Sequence, residues 1–199
     1  KNTGSGTASD TTGKVTVAEG NVTIKAPTWN ASTHKASVSI EKGTSVASTL
    51  QIQYQVNTDN EDGWTTGTSV GNLNHGDVVN ARLWDGNNGG SYTSLTVVDS
   101  GKPAVNVSIT GKGTNTISAS VTASDSQWGM ETSPTYTFYI KKTAQADTAY
   151  VQKQSSTSTT CSFSGLDQET SYTVKVEVKD KAKNTGSGTA SDTTGKVTV

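Results

Sequence analysis

The sequence predicts an all-β protein built of two antiparallel β-sandwiches in tandem. Short runs of alternating apolar and polar residues are separated by clusters of Gly, Asn, Asp and Ser, which is typical of strands that bury one face. Ser and Thr make up roughly a third of the 199 residues, and no stretch shows the three- and four-residue apolar spacing of an amphipathic helix. A hydrophobic content of 30% is low. It suffices for sandwiches, because only alternate strand residues face the core.

The two ends of the chain carry the same 17 residues. Lys1–Val17 and Lys183–Val199 both read KNTGSGTASDTTGKVTV, at an offset of 182 residues. This period is too long for one turn of a solenoid and fits two domains of about 100 residues each. We therefore interpret residues 1–17 as the terminal strand of a preceding repeat, 18–100 as the first sandwich and 101–199 as the second. On this interpretation Gly4–Thr12 pairs outside this chain, and Lys183–Thr194 closes the second sandwich.

The first sandwich is predicted to begin with a strand that opens at Val22–Ile24 and runs towards Pro27 and Trp29. It is also predicted to include a short edge strand at Trp64–Val70. Turn residues dominate Asn57–Gly63 and Asp85–Gly90, so both segments are predicted loops. The clearest alternation places apolar residues at 50, 52, 54 and 56 with Gln between them. The predicted inner-face residues are Ala36, Val38, Ile40, Leu50, Ile52, Tyr54, Val56, Val79, Ala81, Leu83, Leu95 and Val97.

The second sandwich is predicted to follow a short, stiff boundary at Ser100–Pro103. Its alternation is clearest near the end, where four apolar residues from Tyr172 to Val178 are separated by Thr, Lys and Glu. Tyr150–Gln152 is predicted to be a short edge strand. The predicted inner-face residues are Val105, Val107, Ile109, Ile117, Ala119, Val121, Tyr136, Phe138, Ile140, Cys161, Phe163, Tyr172, Val174, Val176 and Val178.

One segment resembles a known family. Leu166 lies six residues before Tyr172, and the alternating strand that follows ends in Asp180-Lys-Ala-Lys-Asn184. This pattern resembles the corner and following strand of bacterial fibronectin type III domains, and the six-residue step recurs from Leu73 to Val79. The resemblance implies immunoglobulin-like or fibronectin-like sandwiches of large bacterial surface proteins. It also implies that the Tyr172 hydroxyl bonds back to the backbone.

No constellation of residues predicts catalysis. His34 and His75, the two histidines, lie in polar segments that read as turns, and no oriented base is predicted beside Cys161. Cys161 alternates with Phe163, which favours a buried thiol. The chain also lacks the usual nucleophile, zinc and phosphate-loop motifs. We therefore expect no enzymatic activity.

Composition suggests two candidate binding sites, one for calcium and one for glycans. Asp59, Glu61 and Asp62 share one loop and offer the hard oxygen ligands that Ca²⁺ prefers, although their spacing departs from the usual calcium loop. A calcium site at a domain junction, using Asp99 or Glu19, is an alternative. Otherwise no cofactor is expected. Glycan binding would use aromatic side chains that stack on sugar rings or, equally, cover a thin core. The candidates are Trp29, Trp64, Trp84 and Trp128. A covalent bond between Lys25 and Asp99 is a further alternative.

These observations favour a structural stalk or spacer repeat of a large extracellular protein on a bacterial cell surface, projecting a functional tip. The alternatives are a carbohydrate- or host-ligand-binding module and a subunit of an extracellular or phage filament. The expected partners are neighbouring repeats and, for a binding module, glycans or a host surface protein. A net charge of −1 with a pI near 6.1 argues against nucleic acid. No apolar run is long enough for membrane insertion.

Overall fold

The computed structural model describes residues 22–60 and 62–197. It confirms an all-β fold of antiparallel sheets. The described chain divides into two compact units. Unit 1 comprises 22–26, 38–60, 62–70 and 78–95, and unit 2 comprises 27–37, 71–77 and 96–197. Among these residues, no helix has the length and apolarity that crossing a bilayer requires.

In the part of the chain that the structure describes, eight strands precede residue 100 and form two sheets. One sheet has the order β1-β3-β2, with β6 also paired to β3, and the other has the order β5-β4-β7-β8. The strands are β1 (Val22–Ile24), β2 (Thr28–Asn30), β3 (Lys35–Lys42), β4 (Gln51–Val56), β5 (Thr65–Thr66), β6 (Ser69–Leu73), β7 (Val78–Trp84) and β8 (Thr93–Thr96). β4 and β7 pair over six residues, from Gln51 opposite Trp84 to Val56 opposite Val79.

Unit 1 has its own apolar core. The buried members are Val22, Ile40, Leu50, Ile52, Ala81 and Leu83, and the half-buried Tyr54 packs against them. These residues recur at every second position of their strands, as the alternation predicts. Val38 is also buried but lies outside this cluster, so the predicted grouping of Tyr54, Leu83 and Val38 holds only for the first two.

Seven strands of unit 2 follow residue 100. They form a three-stranded sheet of order β13-β10-β9 and a four-stranded sheet of order β12-β11-β14-β15. The strands are β9 (Ala104–Lys112), β10 (Thr116–Ser124), β11 (Tyr136–Lys142), β12 (Val151–Ser156), β13 (Thr160–Ser164), β14 (Ser171–Lys179) and β15 (Thr185–Thr193). The one helix among the described residues is a single 3-10 turn, Asp147–Ala149.

The core of unit 2 confirms the predicted inner face. Tyr172, Val176, Phe138 and Val121 are buried together with residues of β9 and β13. Cys161 and Phe163 belong to the same cluster, as their alternation predicts. Burial raises the pKa of the Cys161 thiol, which favours its protonated, unreactive form.

Tyr172 makes the corner that the resemblance implies. Its hydroxyl accepts a hydrogen bond of 3.0 Å from the backbone N–H of Asp167, just before β14 begins. Leu166 packs against the core beside it. The corner therefore ties the loop between β13 and β14 to the interior of unit 2.

We expect Tyr172→Phe to destabilise unit 2 by about 1 kcal/mol, because the Asp167 N–H loses its acceptor while the ring stays buried. Thermal unfolding followed by circular dichroism measures the change. Tyr92→Phe is the matched control, since Tyr92 is 48% exposed and belongs to unit 1. An equal loss in both variants would contradict the role of the corner.

The structure differs from the strand predictions in three places. The strand predicted to run from Val22 towards Trp29 is interrupted, because β1 ends at Ile24 and β2 begins at Thr28. Trp64–Val70 is not one edge strand, because β5 ends at Thr66 and β6 begins at Ser69. Gly67, between them, lies against the Tyr54 ring, where an added Cβ would come within 3.0 Å. The second edge strand is longer than Tyr150–Gln152, since β12 runs from Val151 to Ser156. The pairing predicted for Gly4–Thr12 lies outside the described residues.

Candidate functional site

Three buried aspartates of unit 2 lie together, and we call them the acidic cluster. Asp99, Asp125 and Asp180 each place a carboxylate oxygen within 4.8 Å of the other two. Asp99 follows β8, Asp125 directly follows β10 and Asp180 directly follows β14. The sequence therefore carries a common signal, an Asp immediately beyond an alternating strand, but nothing in it shows that these strand ends meet.

Asp125 is held by the turn that follows β10. Its Oδ2 accepts hydrogen bonds from the backbone N–H groups of Gln127 (2.9 Å) and Gly129 (2.8 Å). Gly129 has a φ of +91°, a backbone conformation that residues with a Cβ rarely adopt. The turn thus uses one carboxylate oxygen of Asp125, and residues 22–60 and 62–197 place no hydrogen bond at the other.

Asp99 is held on both carboxylate oxygens. Oδ1 accepts from the backbone N–H of Gly101 (2.9 Å), and Oδ2 accepts from that of Trp128 (3.1 Å). The Asp99 N–H itself donates to Nδ1 of His75 at 2.9 Å, so the neutral imidazole carries its proton on Nε2. The His75 ring stacks on Trp128, with ring centroids 5.0 Å apart. His75 therefore has a structural position, consistent with its reading as a turn residue.

Asp180 caps the turn that leads into β15. Its Oδ1 accepts from the Asn184 N–H (2.9 Å), and its Oδ2 accepts from Nδ2 of Asn184 (3.0 Å). The same Nδ2 reaches the backbone carbonyl of Asp99 at 3.2 Å. Asn184 thus links Asp180 to Asp99.

The electrostatics of the acidic cluster favour a bound proton or cation. Burial raises the pKa of Asp99, and the neighbouring carboxylates of Asp125 and Asp180 raise it further, against the backbone N–H donors of Trp128 and Gly101. None of the ion pairs found among the described residues involves these three aspartates. Lys181 and His34 line an open cavity of about 550 Å³ beside Asp125. Three carboxylates suit a hard divalent cation such as Ca²⁺.

The calcium residues named from the sequence fall elsewhere. Asp59 and Asp62 are exposed, and Glu61 and Glu19 lie outside the described residues. The alternative that used Asp99 named one member of the acidic cluster and missed Asp125 and Asp180. For the proposed covalent bond, Lys25 pairs with Glu41 at 2.9 Å. That bond stays a prediction.

Two of the four candidate tryptophans meet in unit 1, at what we call the Arg82 cluster: Trp64, Arg82, Trp84 and Tyr92. The Arg82 guanidinium carbon lies 4.0 Å from the Trp64 ring centroid and 5.5 Å from that of Trp84. Nε of Arg82 donates to Oε1 of Gln53 at 3.1 Å. Trp64 and Tyr92 are neighbours, with centroids 5.9 Å apart. Trp29 and Trp128 belong to unit 2, and all four tryptophans are half-buried.

A comparison with solved structures finds similar chains at low sequence identity. The chain is similar to a segment of two fibronectin type III domains from chicken tenascin, with 13% identity, a TM-score of 0.49, and coverage of 87% of this chain and 97% of that one. It is also similar to the chicken CNTN1 FN1-FN3 domains (12% identity, TM-score 0.39), where it covers 66% of that chain. A third similar structure is the chicken interferon gamma receptor alpha chain (11% identity, TM-score 0.46, 98% of that chain). Neither a protein-family model nor a curated protein matches the sequence.

Proposed function

We propose that this chain is a structural repeat, a spacer in the stalk of a large extracellular protein on a bacterial surface. Its role is to extend the protein and to hold a functional tip away from the envelope. This function needs sandwiches that fold independently, a surface that does not adhere, and connections that transmit direction.

The observation that carries the proposal is the position of the repeated segment. Its C-terminal copy forms β15, which pairs with β14 over nine residues, from Ser171 opposite Thr193 to Lys179 opposite Thr185. The repeated segment therefore supplies the last described strand of unit 2. This supports a repeat in which each sandwich contains all of its own strands and can be joined to the next one in series.

The outer surface of unit 2 supports the same proposal. Hydroxyl groups of neighbouring strands are hydrogen-bonded in pairs, Thr137 with Ser155, Thr173 with Ser191, and Ser171 with Thr193. Large hydrophobic side chains exposed among the described residues are scattered: Tyr92, Val98, Val151 and Val197. A surface of this kind stays soluble at high local concentration.

Scattering from engineered arrays tests the proposal. For arrays of two, four and six repeats we expect the maximum dimension to grow nearly linearly with repeat number, because Ser100–Pro103 leaves few free dihedral angles. Small-angle X-ray scattering measures it. A matched array with ten Gly/Ser residues inserted after Gly101 should grow more slowly. Growth of the parent array with the square root of repeat number would overturn the spacer function.

The Arg82 cluster supports one second candidate, a carbohydrate-binding module. Guanidinium, amide and aromatic groups on one sheet face are the groups that bind sugar hydroxyls and stack on sugar rings. A glycan array with the isolated chain decides between the two. Binding that is lost in Trp64→Ala and kept in Trp29→Ala would replace the spacer function.

A further inference from the structure

β15 is held chiefly by its backbone and by small polar side chains. Only Ala190 of this strand packs against the apolar core. The remaining attachments are the ladder with β14, the hydroxyl pairs, and an ion pair of 2.6 Å between Lys112 and Asp192. Just beyond the strand, Thr194 donates its hydroxyl to the Asp167 carbonyl at 2.6 Å. A strand attached in this way can be replaced by any segment of the same sequence.

Two glycines allow β15 to pack closely against β9. A Cβ built on Gly186 would lie 2.1 Å from the Pro103 carbonyl oxygen, and one on Gly188 would lie 2.5 Å from that of Val105. Neither glycine has a positive φ, so the requirement is for space. The cleft between β9 and β14 therefore selects a strand with glycine at two alternate positions.

The chain contains a second segment that meets every one of these requirements. Residues 3–11 repeat the sequence of β15, with Gly4 for Gly186, Gly6 for Gly188 and Asp10 for Asp192. Thr12 repeats Thr194, and Asn2 repeats Asn184, which contacts Asp180. Contacts that depend only on sequence are then equally available to both copies.

We propose that the cleft between β9 and β14 is a strand-acceptor site, and that its partner is Lys1–Val17 of a second copy of this chain. The chain's own β15 normally fills the cleft, because the short connection from β14 gives it a high effective concentration. When β15 is displaced, the second copy closes the sandwich and the two chains become linked. This goes beyond the spacer function, since it provides a link between two copies of this chain.

The test disables one copy of the segment at a time. Gly186→Val with Gly188→Val prevents the chain's own β15 from entering the cleft. We call this double variant the own-strand variant. Gly4→Val with Gly6→Val is the matched control, and a fourth protein carries all four substitutions. At high protein concentration we expect the own-strand variant to have twice the mass of the monomer by light scattering. Its β14 amides should be protected in hydrogen exchange. The control should be monomeric, and the fourfold variant should lack β14 protection.

Cross-linking decides the identity of the strand. Thr173 and Ser191 face each other, with their hydroxyl oxygens 2.8 Å apart, and Ser9 is the equivalent of Ser191. In the own-strand background, Ser9→Cys with Thr173→Cys should form a disulfide-linked dimer on mild oxidation, whereas Ala8→Cys with Thr173→Cys should not. Absence of the linked dimer overturns the proposal. A linked monomer also overturns it, because the segment would then have come from the same chain.

Discussion

Val176→Asp should unfold unit 2 and leave the core of unit 1 intact. Val176 is fully buried at the centre of β14, where it lies opposite Phe138 of β11 and Gly188 of β15. A carboxylate there has no cation within the apolar cluster, and burying an unpaired charge removes about 4 kcal/mol or more. That loss is comparable to the whole stability of a typical domain, about 5–15 kcal/mol.

Hydrogen exchange measured by NMR distinguishes the two cores. Amides of β14 should lose protection in the variant, while those of β4 keep it, because the core clusters of the two units share no residue. Val151→Asp is the matched control, since Val151 is 66% exposed and tolerates a charge. Simultaneous loss of protection in β4 and β14 would mean that the units unfold as one.

The alternation of apolar residues was enough to predict most of the fold. It located β4 and β14 and the core positions of both units, because a strand with one buried face has a period of two. The corner at Tyr172 was predictable for a different reason, since the resemblance to fibronectin type III domains, carried by Leu166 and Tyr172, implies it. The boundaries at residues 17 and 100 stay predictions.

Alternation could not show how the polar faces are used. Gln53 and Gln55 lie on the amide face of β4, and the sequence offers no reason to bury them. In the structure both are buried, and Gln53 accepts a hydrogen bond from Arg82, which itself lies under Trp64. A strand period reports which residues share a face. It does not report what later segments of the chain place on that face.

The acidic cluster was hidden for a similar reason. Its members are separated by 26 and 55 residues in sequence, and they meet only because the ends of β10 and β14 lie together in unit 2. Acidic residues that are close in sequence, such as Asp59 and Asp62, suggest a cation site although both are exposed. A search for an Asp directly after each alternating strand would have found Asp125 and Asp180.

In calcium-free buffer at pH 7, Asp125→Asn should stabilise unit 2 by about 2 kcal/mol. The Asn carbonyl oxygen can keep both backbone hydrogen bonds of the turn, from Gln127 and Gly129, while its amide faces the remaining carboxylates as a donor. Two unit charges 4–5 Å apart repel by roughly 3–4 kcal/mol at an effective dielectric constant of about 20, and partial protonation relieves some of this. A gain of about 2 kcal/mol raises the Tm of a domain this size by roughly 8 °C.

The pH dependence gives the same prediction a second readout. Because the folded-state pKa of Asp99 is raised above 3.8, the folded protein binds its proton more tightly than the unfolded chain does. The resulting stability is fully present below pH 3.8 and is lost as the pH rises through the raised pKa. Thermal unfolding of the parent protein should therefore show this loss, and Asp125→Asn should show less of it, because one of the repelling carboxylates is gone.

If the acidic cluster binds calcium, adding calcium should make the parent protein more stable than Asp125→Asn, which reverses the order of stability expected without it. A cation held by three carboxylates would stabilise the parent protein in proportion to its binding, whereas Asp125→Asn has lost one charged ligand. Calorimetry with 5 mM CaCl₂, and with MgCl₂ as the control for ionic strength, separates a proton site from a cation site. Asp59→Asn should respond to calcium as the parent does, because the exposed Asp59 is no part of the cluster. Destabilisation by Asp125→Asn in calcium-free buffer would show that the carboxylates of the acidic cluster do not repel one another.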